Sequence, residues 1–366
     1  MQRCIILLFL AGFYVACLRF EPETTDITEG PGLSLYLLLS GSASAGAGET
    51  VVRTKFVYIT FRNDNHVRIF QFDNATGGLT EATAAGSPVT TGNQPIGICM
   101  HPTQRFLYVV ERTGNAVAGY SINAATGALT PLAGSPYASG TQPWDCEVHP
   151  NGGFLYAAAF GAGANLRLFS IDPGTGVLTA GIVQATGGNT SQSLVFSNDG
   201  SVLFASHSSS PDVTSNTVNP TTGAVTAFGG SPFAAGTFMR QLALTPTENF
   251  LYVPSRSDSN VRIYSNAAGA LAQTGGSPFG STGQVQGAAV SPDGRFLYTS
   301  QQTANTVAGF SIDGPTGNLT ALGTGPNAVA FPQTLYFEPG AGYLFSVSYL
   351  PSTIATKPRD SRAQKS

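Results

Sequence analysis

Short apolar runs punctuate this chain at a regular interval. FVYI at 56–59 recurs as FLYV at 106, FLYA at 154, VLFA at 202, FLYV at 250, FLYT at 296 and YLFS at 343, spaced 46 to 50 residues apart. Seven occurrences with so little drift define an internal repeat of about 48 residues, the first feature to settle in any fold assignment. Around each run the unit reads alike. A short apolar strand ends in a turn (IGICMHPTQ at 96–104, AAVSPDG at 288–294), and the FLYV strand comes after it. An alternating strand is next (VAGYSI at 117–122, VAGFSI at 307–312), then a turn such as NAATGALT or DPGTGVLT into a fourth strand. AGSP or GGSP loops at 85–88, 133–136, 229–232 and 275–278 lead on to the next unit. Period-two alternation between Gly, Asn and Pro turns is hairpin chemistry. No stretch carries a 3.6-residue apolar period, so helices should be nearly absent.

Four antiparallel strands per repeat of this length predict propeller blades packed radially around a channel. The expected fold is all-β: a seven-bladed β-propeller over residues 51–350. The Gly-His and Trp-Asp signatures of WD40 repeats are missing, since Trp144-Asp145 stands at the start of a first strand. The FLYV strand with its TGxLT turn resembles instead the lactonase-type propeller family, which includes the bacterial 6-phosphogluconolactonases and the YVTN-repeat proteins. The resemblance runs from residue 51 to about 349. One departure concerns ring closure. In that family the chain continues past the seventh FLYV-type strand and then supplies the first strand of blade one. Here YLFSVSY runs into LPSTIATKPRDSRAQKS, with no TGxLT turn and no closing strand. Either the ring closes irregularly, with the apolar segment 33–40 (LSLYLLLS) filling the gap, or the C-terminus is altered.

The flanks differ from the repeats. Arg3 precedes an apolar run from Ile5 to Ala16 that stops at Cys17. Twelve helical residues reach about 18 Å, short of a bilayer core of about 30 Å, so residues 1–17 read as a signal peptide. Tyr14-Val15-Ala16-Cys17 resembles a bacterial lipobox, with Tyr14 where Leu is usual and Cys17 as the residue that would carry lipid. Residues 18–50 read as a tether and 351–366 as a basic polar tail. The expected localisation is therefore exported, as a periplasmic or outer-membrane lipoprotein held to the membrane only through its N-terminal lipid. Cys99 and Cys146 lie in equivalent strands of neighbouring repeats, one place out of phase. Their side chains should then point to opposite faces, which argues against a disulfide and leaves core packing as their role.

Charged residues make up only 10% of the chain and the net charge is −3, so nothing points to nucleic acid. Polar residues gather where a propeller brings loops together, at the starts of inner strands and the ends of second strands. The starts carry Ile96, Trp144 with Asp145, Gln192, Arg240, Gln286 and Gln333. The ends carry Arg62, Glu111 with Arg112, His207, Arg256, and Gln301 with Gln302. Arginines in this number favour an anionic or carbohydrate-like ligand through bidentate hydrogen bonds. The resemblance implies His and Arg at the starts of several inner strands. Arg240 matches such an arginine, whereas Gln192 stands at the position aligned with a His and Gln333 at one aligned with an Arg.

No GxSxG elbow, P-loop or HExxH occurs, and no metal or cofactor is expected. The leading expectation is a cell-envelope propeller that binds a small ligand or an envelope protein at its channel mouth. The alternatives are a hydrolase of sugar-derived lactones, as the resemblance implies, and an adhesive propeller with no central site. Lactone hydrolysis requires a base for water and donors for the developing oxyanion. The candidates are Arg240, His207 and Asp145, with Glu147 and Glu111 as further bases, and Arg240 and His207 must share one pocket. His101 and His149 read as turn hydrogen-bonders.

Overall fold

The computed structural model describes residues 55–159, 165–322, 327–329, 331–337 and 343–348, together with the backbone of strands Val15–Cys17, Leu33–Tyr36 and Ile354–Pro358. The leader before Val15, most of the tether and the end of the basic tail lie outside the described residues. Strand pairing yields seven sheets, one per repeat. Six are antiparallel blades of four strands in line, and in five of these a short fifth strand pairs with the third. Blade 2, for example, runs Pro95–Met100, Phe106–Glu111, Ala116–Ile122 and Leu129–Pro131 from the channel outward. The only helical element among the described residues is a 3-10 turn at Thr83–Ala85.

The repeat motif is a set of bolts between blades. In four of the runs the tyrosine donates to the carbonyl of the turn glycine one blade on: Tyr58 to Gly127 (2.7 Å), Tyr108 to Gly176 (2.8 Å), Tyr156 to Gly223 (2.7 Å) and Tyr252 to Gly317 (2.9 Å). The Phe two places earlier lies under the same glycine. A Cβ at Gly127, Gly176 or Gly317 would sit 2.4 Å from the ring of Phe56, Phe106 or Phe250, and each glycine has φ above +70°. Only glycine meets both demands, which explains the pairing of FxY with TG. The Ser of each SP loop does a parallel task within its blade. Its hydroxyl accepts the amide of the third strand, as in Ile69 to Ser87 and Gly119 to Ser135. His101 and His149 cross to Gly152 and Gly200 of the next blade, each at 3.0 Å, as turn hydrogen-bonders should.

Ring closure uses the N-terminal part of the chain. Leu33–Tyr36 forms the innermost strand of blade 1, antiparallel to Lys55–Phe61, with Leu33 opposite Phe61 and Tyr36 opposite Tyr58. This segment read as part of a tether, and of the two sequence alternatives the irregular closure is the one observed. The seventh sheet holds Pro332–Phe337, Tyr343–Ser348 and Ile354–Pro358, with Val15–Cys17 pairing in parallel outside them. The propeller thus runs past residue 350, because Ile354–Pro358 pairs antiparallel with blade 7's second strand. Phe72, Phe70, Phe61, Tyr343 and Phe345 fill the seam between blades 7 and 1, and Tyr343 donates to the Asn74 carbonyl at 2.8 Å.

The cysteine expectation is corrected. Cys99 and Cys146 form a disulfide, with Cα atoms 5.7 Å apart, inside the normal range for a bridge. Their side chains do point to opposite faces of equivalent strands. In a radial stack, the opposite faces of neighbouring sheets are the two that touch. Cys99 faces blade 3 and Cys146 faces blade 2, and both belong to one buried cluster.

Candidate ligand site at the channel mouth

Five inner strands break register near their first residue: between Pro95/Ile98, Pro143/Asp145, Ser191/Ser193, Val285/Gly287 and Pro332/Thr334. In blade 5 an isolated Met239–Ser255 bridge precedes the ladder, which resumes at Ala243. Bulges turn an unpaired side chain away from the pleat. Here the unpaired residues are Ile96, Trp144, Gln192, Arg240, Gln286 and Gln333, and all six line a single cavity of about 570 Å³ at the centre of the ring. The set read from the inner-strand starts is therefore brought together in full.

The second-strand ends sort by parity. Among the described strand ends, Glu111, His207 and Gln301 turn back under their own loops, whereas the residues that follow Phe61, Ser255 and Gln301 reach the channel. Glu111 is buried and accepts the Gly92 amide at 2.7 Å. Burial pushes its carboxyl up from the usual carboxylate range, with the Gly92 amide opposing. Gln301 accepts Thr282 at 2.7 Å and is likewise buried. His207 is wholly buried, with Nε2 3.0 Å from the Thr186 hydroxyl and Nδ1 2.8 Å from the Asp212 carboxylate. None of the three lines the cavity, so His207 and Arg240 do not share a pocket and His207 is corrected from candidate base to loop anchor. Glycines 92 and 188 leave the space these side chains occupy.

One residue further on, Arg62, Arg256 and Gln302 line the cavity. Each arginine is steadied by a glutamine of the next blade: Arg62 by Gln94 at 3.1 Å, Arg256 by Gln284 at 3.0 Å and Arg112 by Gln142 at 3.5 Å. Arg112 stands behind the lining, its guanidinium 4.8 Å from the centroid of the Trp144 ring, while Arg240 lies 5.1 Å from the same centroid. Stacking of this kind orients a guanidinium flat against the indole face.

The two acids of the third inner strand differ. Asp145 is buried, and its oxygens accept the amides of Cys146 (2.9 Å) and Leu194 (3.1 Å), so its carboxylate ties blade 3 to blade 4. Glu147 opens onto the cavity and has no hydrogen-bond partner among the described residues. Burial first, and the neighbouring Asp145 charge second, hold its carboxyl well above the usual range. The buried glutamines are only half used. Gln192 donates to Ser208 and Gln286 to Gln302, yet Oε1 of each has no partner, and neither has Nε2 of Gln333. Buried polar atoms of this kind call for water or a ligand. Sequence reading passed over Gln241, whose amide clamps both the carbonyl (2.7 Å) and amide (2.9 Å) of Leu335 in blade 7. It reaches across Gly287 of blade 6, a span that no repeat alignment shows.

Comparison with known proteins agrees with this architecture. The family model described as "Lactonase, 7-bladed beta-propeller" matches residues 14–144, 134–237 and 231–363. A 6-phosphogluconolactonase of Pectobacterium carotovorum subsp. carotovorum (strain PC1) is 28% identical over 122 residues, which is 33% of this chain and 36% of that protein. The chain thus matches about a third of that relative's length. Among solved structures, a periplasmic gluconolactonase of Pseudomonas aeruginosa superposes with a TM-score of 0.69 at 21% identity, covering 89% of this chain and 93% of that one. A propeller from Bacteroides uniformis ATCC 8492 gives 0.71 at 19% identity, with 90% and 93% covered. Hydrazine synthase of Kuenenia stuttgartiensis gives 0.65 at 17% identity, with 83% and 92% covered. At such identities the structural likeness concerns the fold alone.

Proposed function

Because the chain belongs to the lactonase family of seven-bladed β-propellers, we propose that its channel mouth binds a small polyhydroxylated carboxylate or the corresponding sugar lactone. The observation that carries this reading is the pairing of two chemistries in one cavity. Arg62, Arg240 and Arg256 supply cationic donors for a carboxylate or lactone carbonyl, while Gln192 and Gln286 present buried acceptors without partners, suited to sugar hydroxyls. Calorimetric titration with gluconate and 6-phosphogluconate tests it. Binding that Arg240→Ala weakens by about tenfold or more supports the site, since loss of a charge-assisted hydrogen bond costs about 1.5–3 kcal/mol. No heat from folded protein with either sugar acid removes the reading.

Hydrolysis of the lactone is the second reading. It is favoured by the name of the Pectobacterium relative and by the unpartnered acid Glu147 in the cavity. We infer export to the cell envelope as well. The buried Cys99–Cys146 bridge supports it, because a reducing cytosol disfavours disulfides. The backbone pairing of Val15–Cys17 with Ile354–Pro358 bears on the leader. Processing at Cys17 would remove two of those three residues, so the intact mass of protein recovered from membranes decides between a processed and a retained segment.

A further inference from the structure

Position 147 is apolar in the sister blades. Register places it opposite the aromatic residue of the second strand, here Tyr156. The residues with the same partner elsewhere are Cys99, Val195, Ala243, Ala289 and Tyr336, opposite Tyr108, Phe204, Tyr252, Tyr298 and Phe345. A carboxylic acid at this site faces desolvation with no hydrogen-bond partner among the described residues to offset it, a costly arrangement that packing does not explain. Its surroundings are the cavity itself, where Arg62, Arg240 and Arg256 are the cations and Asp145 the other acid.

Elimination points the same way. Of the four groups able to act as base, Glu111 and His207 turn away from the cavity, and both Asp145 oxygens are occupied by backbone amides. We propose that Glu147 is the catalytic acid–base of a lactone-hydrolysing site in this channel, with Arg240 of the same cavity lining as the cation that faces the developing oxyanion. The inference rests on the lactone reading of the cavity.

The step balances without a co-reactant. The Glu147 carboxylate takes a proton from water as the water oxygen bonds to the lactone carbonyl carbon, and the carbonyl electron pair moves onto its oxygen. When that pair returns, the bond from carbon to ring oxygen breaks. Glu147 then gives its proton to the ring oxygen, which becomes a hydroxyl, and the new carboxylic acid ionises to solvent. A carboxyl held above its ordinary range is a stronger base for the water proton than a free carboxylate, and it holds that proton until the ring oxygen takes it.

Glucono-δ-lactone and 6-phosphogluconolactone hydrolysis above the spontaneous rate is compared for the wild-type chain and Glu147→Gln, alongside gluconate affinity by calorimetry. The expected result is a fall in kcat of about 100-fold or more, gluconate binding that is retained, and loss of the rising limb of the pH–rate profile. Turnover equal to wild type in Glu147→Gln overturns the assignment. So does a wild-type protein that binds gluconate yet accelerates neither lactone, which leaves the binding reading standing. Absence of both binding and turnover removes the binding reading and this inference together. Should the Gln variant fail to fold, Glu147→Asp keeps the carboxyl but withdraws it by one methylene. A lowered kcat with the limb retained but displaced is then expected, and wild-type kinetics overturn the proposal.

Discussion

Pro143–Val148 of blade 3 and Val285–Val290 of blade 6 are the same inner strand built twice. Both pair antiparallel with an FLY strand, both break register after their first residue, and both aim the unpaired side chain, Trp144 or Gln286, into the cavity. Beyond the bulge the two strands diverge. Blade 3 continues Asp-Cys-Glu: one residue pins the neighbouring blade, one is covalently bonded to blade 2, and one stands bare in the channel. Blade 6 continues Gly-Ala-Ala, and its contribution is space, since Gln241 passes over Gly287 to reach Leu335. The repeat therefore sets where a side chain stands. Departure from the repeat sets what it does there.

The sharpest way to break this comparison is at the covalent bond. Cys146→Ser should cost about 4 kcal/mol of unfolding free energy, because the bridge spans a sequence separation of 47 residues. Ala288→Ser, the matching change in blade 6, should cost much less. Guanidinium denaturation of the two variants under non-oxidising handling reads the difference, and equal midpoints would deny the bond its role. Next in size is Gly287→Ala. Its Cβ would lie 2.6 Å from the Gln333 carbonyl oxygen and 2.7 Å from Gln241 Oε1, so overpacking and a displaced clamp should together cost about 2 kcal/mol. A variant as stable as wild type would show that the passage over blade 6 is not tight.

The hydroxyl bolt is smaller. Tyr156→Phe leaves the Gly223 carbonyl without its donor and should cost about 1 kcal/mol in the same assay. Smallest, and opposite in sign, is Glu147→Gln. A carboxyl whose folded pKa is raised lends stability below its unfolded value, and that stability is lost as pH rises through the folded value. The Gln variant should therefore melt higher than wild type at pH 8 and together with it at pH 4. Scanning calorimetry at both values checks the sign, and a wild type more stable at pH 8 would mean that Glu147 has found a partner.

Much of the site was legible because the bulge recurs. Starting from the repeat, residues Ile96, Trp144, Gln192, Arg240, Gln286 and Gln333 can be picked out as equivalents, and the cavity gathers all six. The second-strand ends were half legible. Glu111-Arg112 and Gln301-Gln302 each offer two adjacent polar residues, and adjacent residues on a strand face opposite sides. Which side holds the channel depends on the strand's twist against its neighbours. His207 was misplaced for that reason, and Ser208, its successor, is the one that meets Gln192.

By itself the sequence determined the class of fold and the number of repeats. The FxY and TG pairings are local demands for an aromatic and a left-handed glycine, and they recur visibly along the chain. It also determined which inner-strand positions meet the channel mouth. Tertiary structure alone decided the rest. The Cys99–Cys146 bond depends on two faces meeting across separate sheets. The closing strand Leu33–Tyr36 depends on which segment reaches an open edge, and the isolation of Glu147 on which carboxylates find amides. These are relations between elements far apart in the chain, and the repeat, being a property of each unit, carries no record of them.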